Sequence, residues 1–304
     1  MRISTQHLFE NGGASIGELQ SSMIKTQQQI ASGRRILTPS DDPIASARAL
    51  EVTQSQSLNT QYATNRTYAK NALGELDGIL GEVTELLQNV KSSVVSADNV
   101  LYSDSERAVI ATDLQARFDQ LLGLANSRDP QGNYVFSGFQ TSTPAFVKTA
   151  TGANYQGDAG QRLLQVDSSR QLAVSSPGQA VFQGGGQDMF QTLSDVITLL
   201  QTPVVTAADR ANLQAGLVTA NGNLKLALDN VSTVRAAAGS RLQEIDALDS
   251  AGDDRGLQYS AILSELQDLD YTEALTRLSQ QQFTFEAAQK SFVKTSGLSL
   301  FNFI

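Results

Sequence analysis

YTEALTRLSQQQFTFEAAQKSFVKTSGLSLFNFI, residues 271–304, decides how the rest of the chain is read. Ala274, Leu278, Gln281, Phe285, Ala288, Phe292 and Thr295 recur at alternating steps of four and three. That spacing predicts a helix that lays one stripe against a partner helix. No proline interrupts it, and Gly297 is placed to close it. The chain then ends on Leu298, Leu300, Phe301, Phe303 and Ile304. Chain ends are ordinarily polar and frayed, so an apolar end of this kind is expected to be covered.

A matching stripe lies near the other terminus. Ile16, Leu19, Met23, Thr26 and Ile30 repeat the four-three spacing over a helix expected from Ser4 to Ile30, broken or delayed near Gly12, Gly13 and Gly17. Gly33 suits a left-handed C-cap. In RRILTPSDDP, Arg34 to Pro43, Pro39 bars helix continuation, and Asp41 or Asp42 can cap a new helix with Pro43 at its first position.

The pattern then stays helical from Ile44 to about Val100, with Leu76, Leu80, Val83, Leu87, Val90 and Val94 on one face. A continuous helix of that length spans roughly 85 Å, which suggests a rod. SDSE, Ser103 to Glu106, matches a capping box and opens a further helix. From Tyr134 to Phe182 the period changes: YVFSGF, AFVKT, RLLQV and QLAVSS read as short strands joined by turns. Helix resumes at Asp188 and, after Pro203 and a capping sequence at Thr206–Asp209, runs to about Leu248. The polar SAGDD is expected to break it before the last helix.

The fold expected is mainly α: a long helical coiled-coil rod made from both ends of the chain, with a small β-rich domain inserted in the middle. The parts are a terminal helical domain (1–42 with 265–304, mobile before assembly), a helical rod domain (43–130 with 187–264) and an outer β-rich domain (131–186).

Composition removes several function classes. The 304 residues carry a net charge of −9, whereas a nucleic-acid binder needs a basic face. With no cysteine there are no disulfides, thiolate metal sites or cysteine nucleophiles. No stretch approaches the ~20 apolar residues of a membrane span, and MRISTQHLFENGG lacks the features of a cleaved signal peptide. His7, the only histidine, lies in the polar lead of the first helix; a triad would need partners positioned around it and a zinc site further ligands, so it is read as incidental. DSAGDD, Asp249 to Asp254, lacks the DxDxDG order and distal glutamate of a calcium loop, and Gly184–Gly186 lacks the order of a phosphate loop. Between Tyr134 and Gly186 the acidic residues are Asp158 and Asp167 alone, in turn sequence. The reading is therefore non-catalytic, with no cofactor and no metal.

IASGRRILTPSDDPIASARAL, residues 30–50, resembles the N-terminal signature of the bacterial flagellin family, and residues 277–304 resemble its terminal helix. TPSDDP at 38–43, GLSLFN at 297–302, YVFSGFQTSTPAF at 134–146 and YQGD at 155–158 resemble the member at the junction of hook and filament. The resemblance implies a structural subunit, exported unfolded through the flagellar type III apparatus to the outside of the cell. There it would form a ring at the hook tip, between a hook-associated protein and flagellin, its terminal segments guarded by an export chaperone beforehand. It implies coupled folding and assembly, with Ile16, Leu19, Met23, Ile30, Leu278, Phe285 and Phe292 pairing and packing on neighbours. Leu298, Leu300, Phe301, Phe303 and Ile304 would be surface reserved for those neighbours. The alternatives are a short flagellin, or a surface binding protein using exposed aromatics among Tyr134, Phe136, Phe139 and Tyr155, residues otherwise expected in a core.

Overall fold

The computed structural model describes residues 2–99 and 101–297. The elements run α1 (Arg2–Ser32), α2 (Pro43–Ala97), α3 (Asp104–Ala125), β1 (Phe146–Thr149), β2 (Gly152–Tyr155), β3 (Leu163–Asp167), β4 (Arg170–Ala173), α4 (Gly178–Phe182), α5 (Met189–Gln201), α6 (Ala207–Gln267) and α7 (Tyr271–Gly297). The protein is mainly α, with a small β region of two antiparallel hairpins, β1–β2 and β3–β4. The chain divides into two compact units. Residues 1–58 with 254–304 form one, which we call the terminal unit; residues 59–253 form the other, the central unit.

The central unit is built on a continuous apolar seam. Leu73, Leu76, Leu80, Val83, Leu87, Val90 and Val94 of α2 are all buried, at strict three-four steps. Leu217, Ala220, Leu224, Ala227 and Val231 of α6 follow the same rhythm and join the same cluster. Polar pairs set the register of the two helices. Asp77 meets Arg235 (2.8 Å), Lys70 meets Asp246 (2.7 Å), Arg66 meets Asp249 (2.5 Å) and the Asn59 amide donates to the Gly252 carbonyl (2.8 Å). One number falls as the other rises, so the helices run antiparallel, as expected of a heptad pair.

The SAGDD break expected near residue 250 does not occur, because α6 is continuous through it. The reason is a long-range contact. Arg66 is only 1% exposed, and a Cβ on Gly252 would stand 2.5 Å from its Nη2. The glycine clears room for a buried guanidinium and does not end the helix. Nη1 of the same arginine donates to the Val166 carbonyl of β3 (3.1 Å), and the Asn65 amide donates to that of Gln165 (2.7 Å). Arg170 of β4 forks onto Glu244 of α6 (2.5 and 2.9 Å). The second hairpin is thus tied to the helices by charged side chains.

The first hairpin is held by rings. Phe146 of β1 packs on Phe182 of α4 and Phe190 of α5, at centroid distances of 5.4 and 4.9 Å, and Phe118 of α3 meets Phe190 edge-on at 5.7 Å. YVFSGF is not a strand. Residues 134–138 are buried in succession, without the alternation a half-buried strand requires. They form turns instead: Ser137 Oγ donates to the Thr143 carbonyl (2.6 Å), and Gly138 takes φ +69°. Tyr134 and Phe136 are buried and Tyr155 is half-buried, while Phe139 stands 65% exposed.

Local helix signals perform as expected. Ser103 and Glu106 form the capping box of α3. Asp188 caps α5 by accepting from Phe190 N and Gln191 N, and Thr206 and Asp209 bond reciprocally at the start of α6.

Candidate assembly surface

The terminal unit contains the stripes singled out at both chain ends, and α1 and α7 pack on each other within it. Gly12, Gly13 and Gly17 do not break α1, which is helical from Arg2 to Ser32. Gly12 has a specific use: a Cβ there would lie 2.7 Å from the ring of Phe292. Its absence lets α7 approach α1 and lets Phe9 meet Phe292 edge-to-face, at 5.7 Å and 88°. The flexibility of glycine in a helix suggests a break, and only a partner 280 residues away reveals the other purpose.

Ile16, Leu19, Met23 and Ile30 of α1 and Leu278, Phe285 and Phe292 of α7 are all half-buried. The expected stripes are the less exposed sides of both helices, yet none of these seven is sealed from water. Thr26 and Gln29 of α1 and Ala274 of α7 are buried. Gln281 carries an Oε1 buried without a hydrogen-bond partner among the described residues. Leu298, Leu300, Phe301, Phe303 and Ile304 lie outside the described residues.

A polar clasp closes the unit where α1 ends. Gly33 takes φ +70°, with the Tyr271 hydroxyl so close that a Cβ would sit 2.9 Å from it. The Gly33 carbonyl accepts from Leu269 N (3.0 Å), and Arg35 N donates to the Gln267 carbonyl (2.7 Å). The Arg35 guanidinium reaches the Leu266 carbonyl (2.9 Å) and Asp42 (3.2 Å), and the Gln29 amide donates to the Arg35 carbonyl (2.5 Å). Asp42 accepts from Ala45 N (3.0 Å), making it the N-cap of α2 with Pro43 at the first helical position. Asp41 accepts from Lys25 Nζ (2.6 Å) and from the backbone N–H groups of Leu37 and Thr38. These bonds, that of Lys25 foremost, hold its carboxyl down to about 2.

The structure also reveals apolar residues that the seam reading missed. Leu275 and Phe283 of α7 are 54% and 75% exposed, Phe283 on the side of the helix away from Leu278, Phe285 and Phe292. The signal was present as apolar residues out of phase with the seam. Elsewhere in the unit, a groove of ≈ 230 Å³ opens between the 34–39 loop and the first turns of α2, lined by Ile36, Leu37, Pro39, Ala49 and Leu50, with Arg34 among its lining residues.

Other chemistry is sparse. His7 is exposed, 3.9 Å from Glu10. Among the described residues no cluster of three His, Cys, Asp or Glu side chains is arranged to hold a metal ion, and no helix is long and apolar enough to cross a membrane.

A helical unit made from both chain ends, with a larger mainly helical unit made from the middle, agrees with the arrangement that the resemblance to flagellins implies. Residues 3–141 match the family model for the bacterial flagellin N-terminal helical region. The chain is 36% identical over 315 aligned residues to flagellar hook-associated protein 3 of Escherichia coli (strain K12), covering 99% of each. It is equally similar, again 36% over 99% of both, to the protein of that name from Salmonella typhimurium. A crystal structure of the flagellar junction protein FlgL from Legionella pneumophila shares the fold, with a TM-score of 0.63 at 19% identity over 73% of this chain and 100% of that one. The chain belongs to the flagellar hook-associated protein 3 family.

Proposed function

We propose that this chain is a non-catalytic structural subunit of the bacterial flagellum that joins hook to filament. The observation that carries the reading is the terminal unit itself. It is closed by a clasp and a helix pair, yet among the described residues the apolar side chains of its seam remain half-exposed, which leaves apolar surface for neighbouring chains to cover. The full-length similarity to hook-associated protein 3 supports the same reading.

In this reading Ile16, Leu19, Met23, Ile30, Leu278, Phe285 and Phe292 pair fully on assembly and pack against neighbours, and Leu298 to Ile304 provides further apolar contact. Completing the burial of a Leu or Phe side chain contributes up to roughly 1.5–3 kcal/mol, and a handful per subunit offsets the ordering cost. The partners are further copies in a ring, an adjoining hook-associated protein and flagellin. Before assembly, residues 1–42 and 265–304 are mobile and held by an export chaperone, and the protein reaches the cell exterior through the flagellar type III apparatus. Residues 43–130 with 187–264 form the rod, and residues 131–186 form its outer domain.

The test is deletion of residues 292–304. Flagella assembled with the truncated protein are expected to shed filaments into the medium while hooks stay on the cell. Filaments that remain attached would refute the junction role. Growth of long filaments from the purified full chain alone would instead indicate a filament subunit.

A further inference from the structure

Resting on the reading that the terminal helices pair fully only on assembly, we infer that Asn11–Gly12 is a site of spontaneous covalent modification. There the free chain converts asparagine to aspartate and isoaspartate through a cyclic imide, and the assembled chain does not.

The chemistry needs an asparagine followed by a residue whose backbone nitrogen can reach its side chain. Glycine meets that need best, having no Cβ to obstruct the approach. The Gly12 nitrogen attacks Cγ of Asn11, and the new C–N bond closes a succinimide ring. Nδ2 leaves as ammonia, carrying the proton that the Gly12 amide gives up. Water then opens the ring at either carbonyl. Attack at Cγ leaves aspartate, whereas attack at the backbone carbonyl leaves isoaspartate, whose main chain runs through Cβ and Cγ and is one carbon longer.

The chain has two Asn–Gly pairs, Asn11–Gly12 and Asn221–Gly222, and the structure gives them different surroundings. Asn221 lies in the continuous helix α6 beside the buried Ala220 and Leu224, and its Oδ1 is itself buried. Asn11 lies in α1 and is exposed, with Gly12 half-buried. In either helix the glycine N–H is bonded to the carbonyl four residues back, and helical dihedral angles keep the nitrogen away from the asparagine side chain. The reaction therefore proceeds only where the helix opens. Opening α6 at Asn221 disrupts a finished core, while opening α1 at Asn11 releases a half-covered seam. The related Asp77–Gly78 pair of α2 is restrained further, since Arg235 donates to both carboxylate oxygens of Asp77 (2.8 and 3.3 Å).

Position gives the modification a consequence. Gly12 faces the Phe292 ring so closely that a Cβ would stand 2.7 Å from it. Isoaspartate immediately before Gly12 lengthens the backbone of α1 where α7 approaches. A subunit that waits too long unassembled thus loses the fit of its own terminal helices, and assembly ends the exposure by holding α1 closed.

To test this, purified full chain and intact flagella are kept in the same neutral buffer and mapped over time by mass spectrometry. An aspartate-directed protease that does not cut at isoaspartate separates the two products, and full chain unfolded in urea sets the rate of the open pairs. In the folded free chain Asn11 is expected to convert at least about tenfold faster than Asn221. In flagella both should stay intact, and Asn11→Gln should leave residue 11 unchanged in every sample. Isoaspartate at residue 11 should also be present in subunits secreted unassembled into the culture medium and absent from those recovered from flagella. Conversion of Asn11 as slow as that of Asn221 in the free chain, with both converting in urea, would overturn the site. Conversion as fast in flagella as in the free chain would overturn its closure on assembly, and equal isoaspartate in secreted and assembled subunits would overturn the consequence for assembly. Failure of the unmodified chain to appear at the hook–filament boundary would overturn the junction role instead, leaving the chemistry at Asn11 standing.

Discussion

The two units use the same helical rhythm and reach opposite degrees of burial. In the central unit, three-four steps along α2 and α6 place Leu, Val and Ala side chains wholly out of water, and five phenylalanines extend the core into the hairpins. In the terminal unit the same steps along α1 and α7 leave the seam half-covered. Its buried apolar residues, among those described, are Ala45, Ala49 and Ala274. Periodicity therefore reports which side of a helix faces a partner, while the size of the side chains and the number of layers around it determine whether the contact is stable alone. One unit has a finished core, and the other has a seam left half-covered.

The largest expected effect on the isolated chain is in the finished core. Phe146→Ala removes a ring packed on Tyr155, Phe182 and Phe190, and should cost about 3–5 kcal/mol of central-unit stability in denaturant unfolding followed by near-ultraviolet circular dichroism. An unchanged midpoint would show that the rings do not form one packed core. Arg66→Met should cost less, about 1–3 kcal/mol, because Asp249 is partly exposed and rehydrates while the Val166 carbonyl loses its donor. Hydrogen exchange should rise in β3 first.

The terminal unit should respond differently. Phe292→Ala should change the monomer's unfolding by only about 1 kcal/mol, since the ring is half-buried, yet it should release filaments from flagella. A large monomer effect with intact flagella would reverse the contrast between the units. In the same comparison, amide exchange of the free chain should be slow along residues 73–94 and fast along residues 10–30 and 274–295.

The smallest effect concerns acid. Asp41 ionises more readily in the folded unit than when unfolded, its carboxyl lying near 2 against an ordinary value of 3.8. Its contribution is therefore present in full above about pH 4 and is lost as pH falls towards 2. Amide exchange around residues 37–42 should quicken over that window, and Asp41→Asn should flatten the dependence. Equal acid sensitivity in the variant would remove Lys25–Asp41 from the account.

What was legible in the sequence was local. Caps at Asp42, Ser103 and Thr206 work through bonds to backbone three residues away, so short windows contain the whole cause. The seams were legible because their period repeats. The misread positions depend on distant partners: Gly252 on Arg66, Gly12 on Phe292, and the succession Val135–Ser137 on burial from every side. In each, a local signal for a break or a strand was overridden by packing across 100 residues or more, or within an irregular loop. Phe283 was overlooked for another reason: one stripe of α7 was read, and the helix has two.

The clasp at Gly33 and Arg35 also bears on the order in which the chain folds. The Arg35 guanidinium and the Leu266 carbonyl are 231 residues apart, a separation that is slow to close in an open chain. The central unit shortens that search. Once Asn59 bonds to Gly252, the two ends leave it as adjacent strands of polypeptide, and the remaining loop is short. Closing the terminal unit is then expected to come last in folding and to reverse first in unfolding, and hydrogen exchange as slow along residues 29–42 as along residues 73–94 would contradict that order.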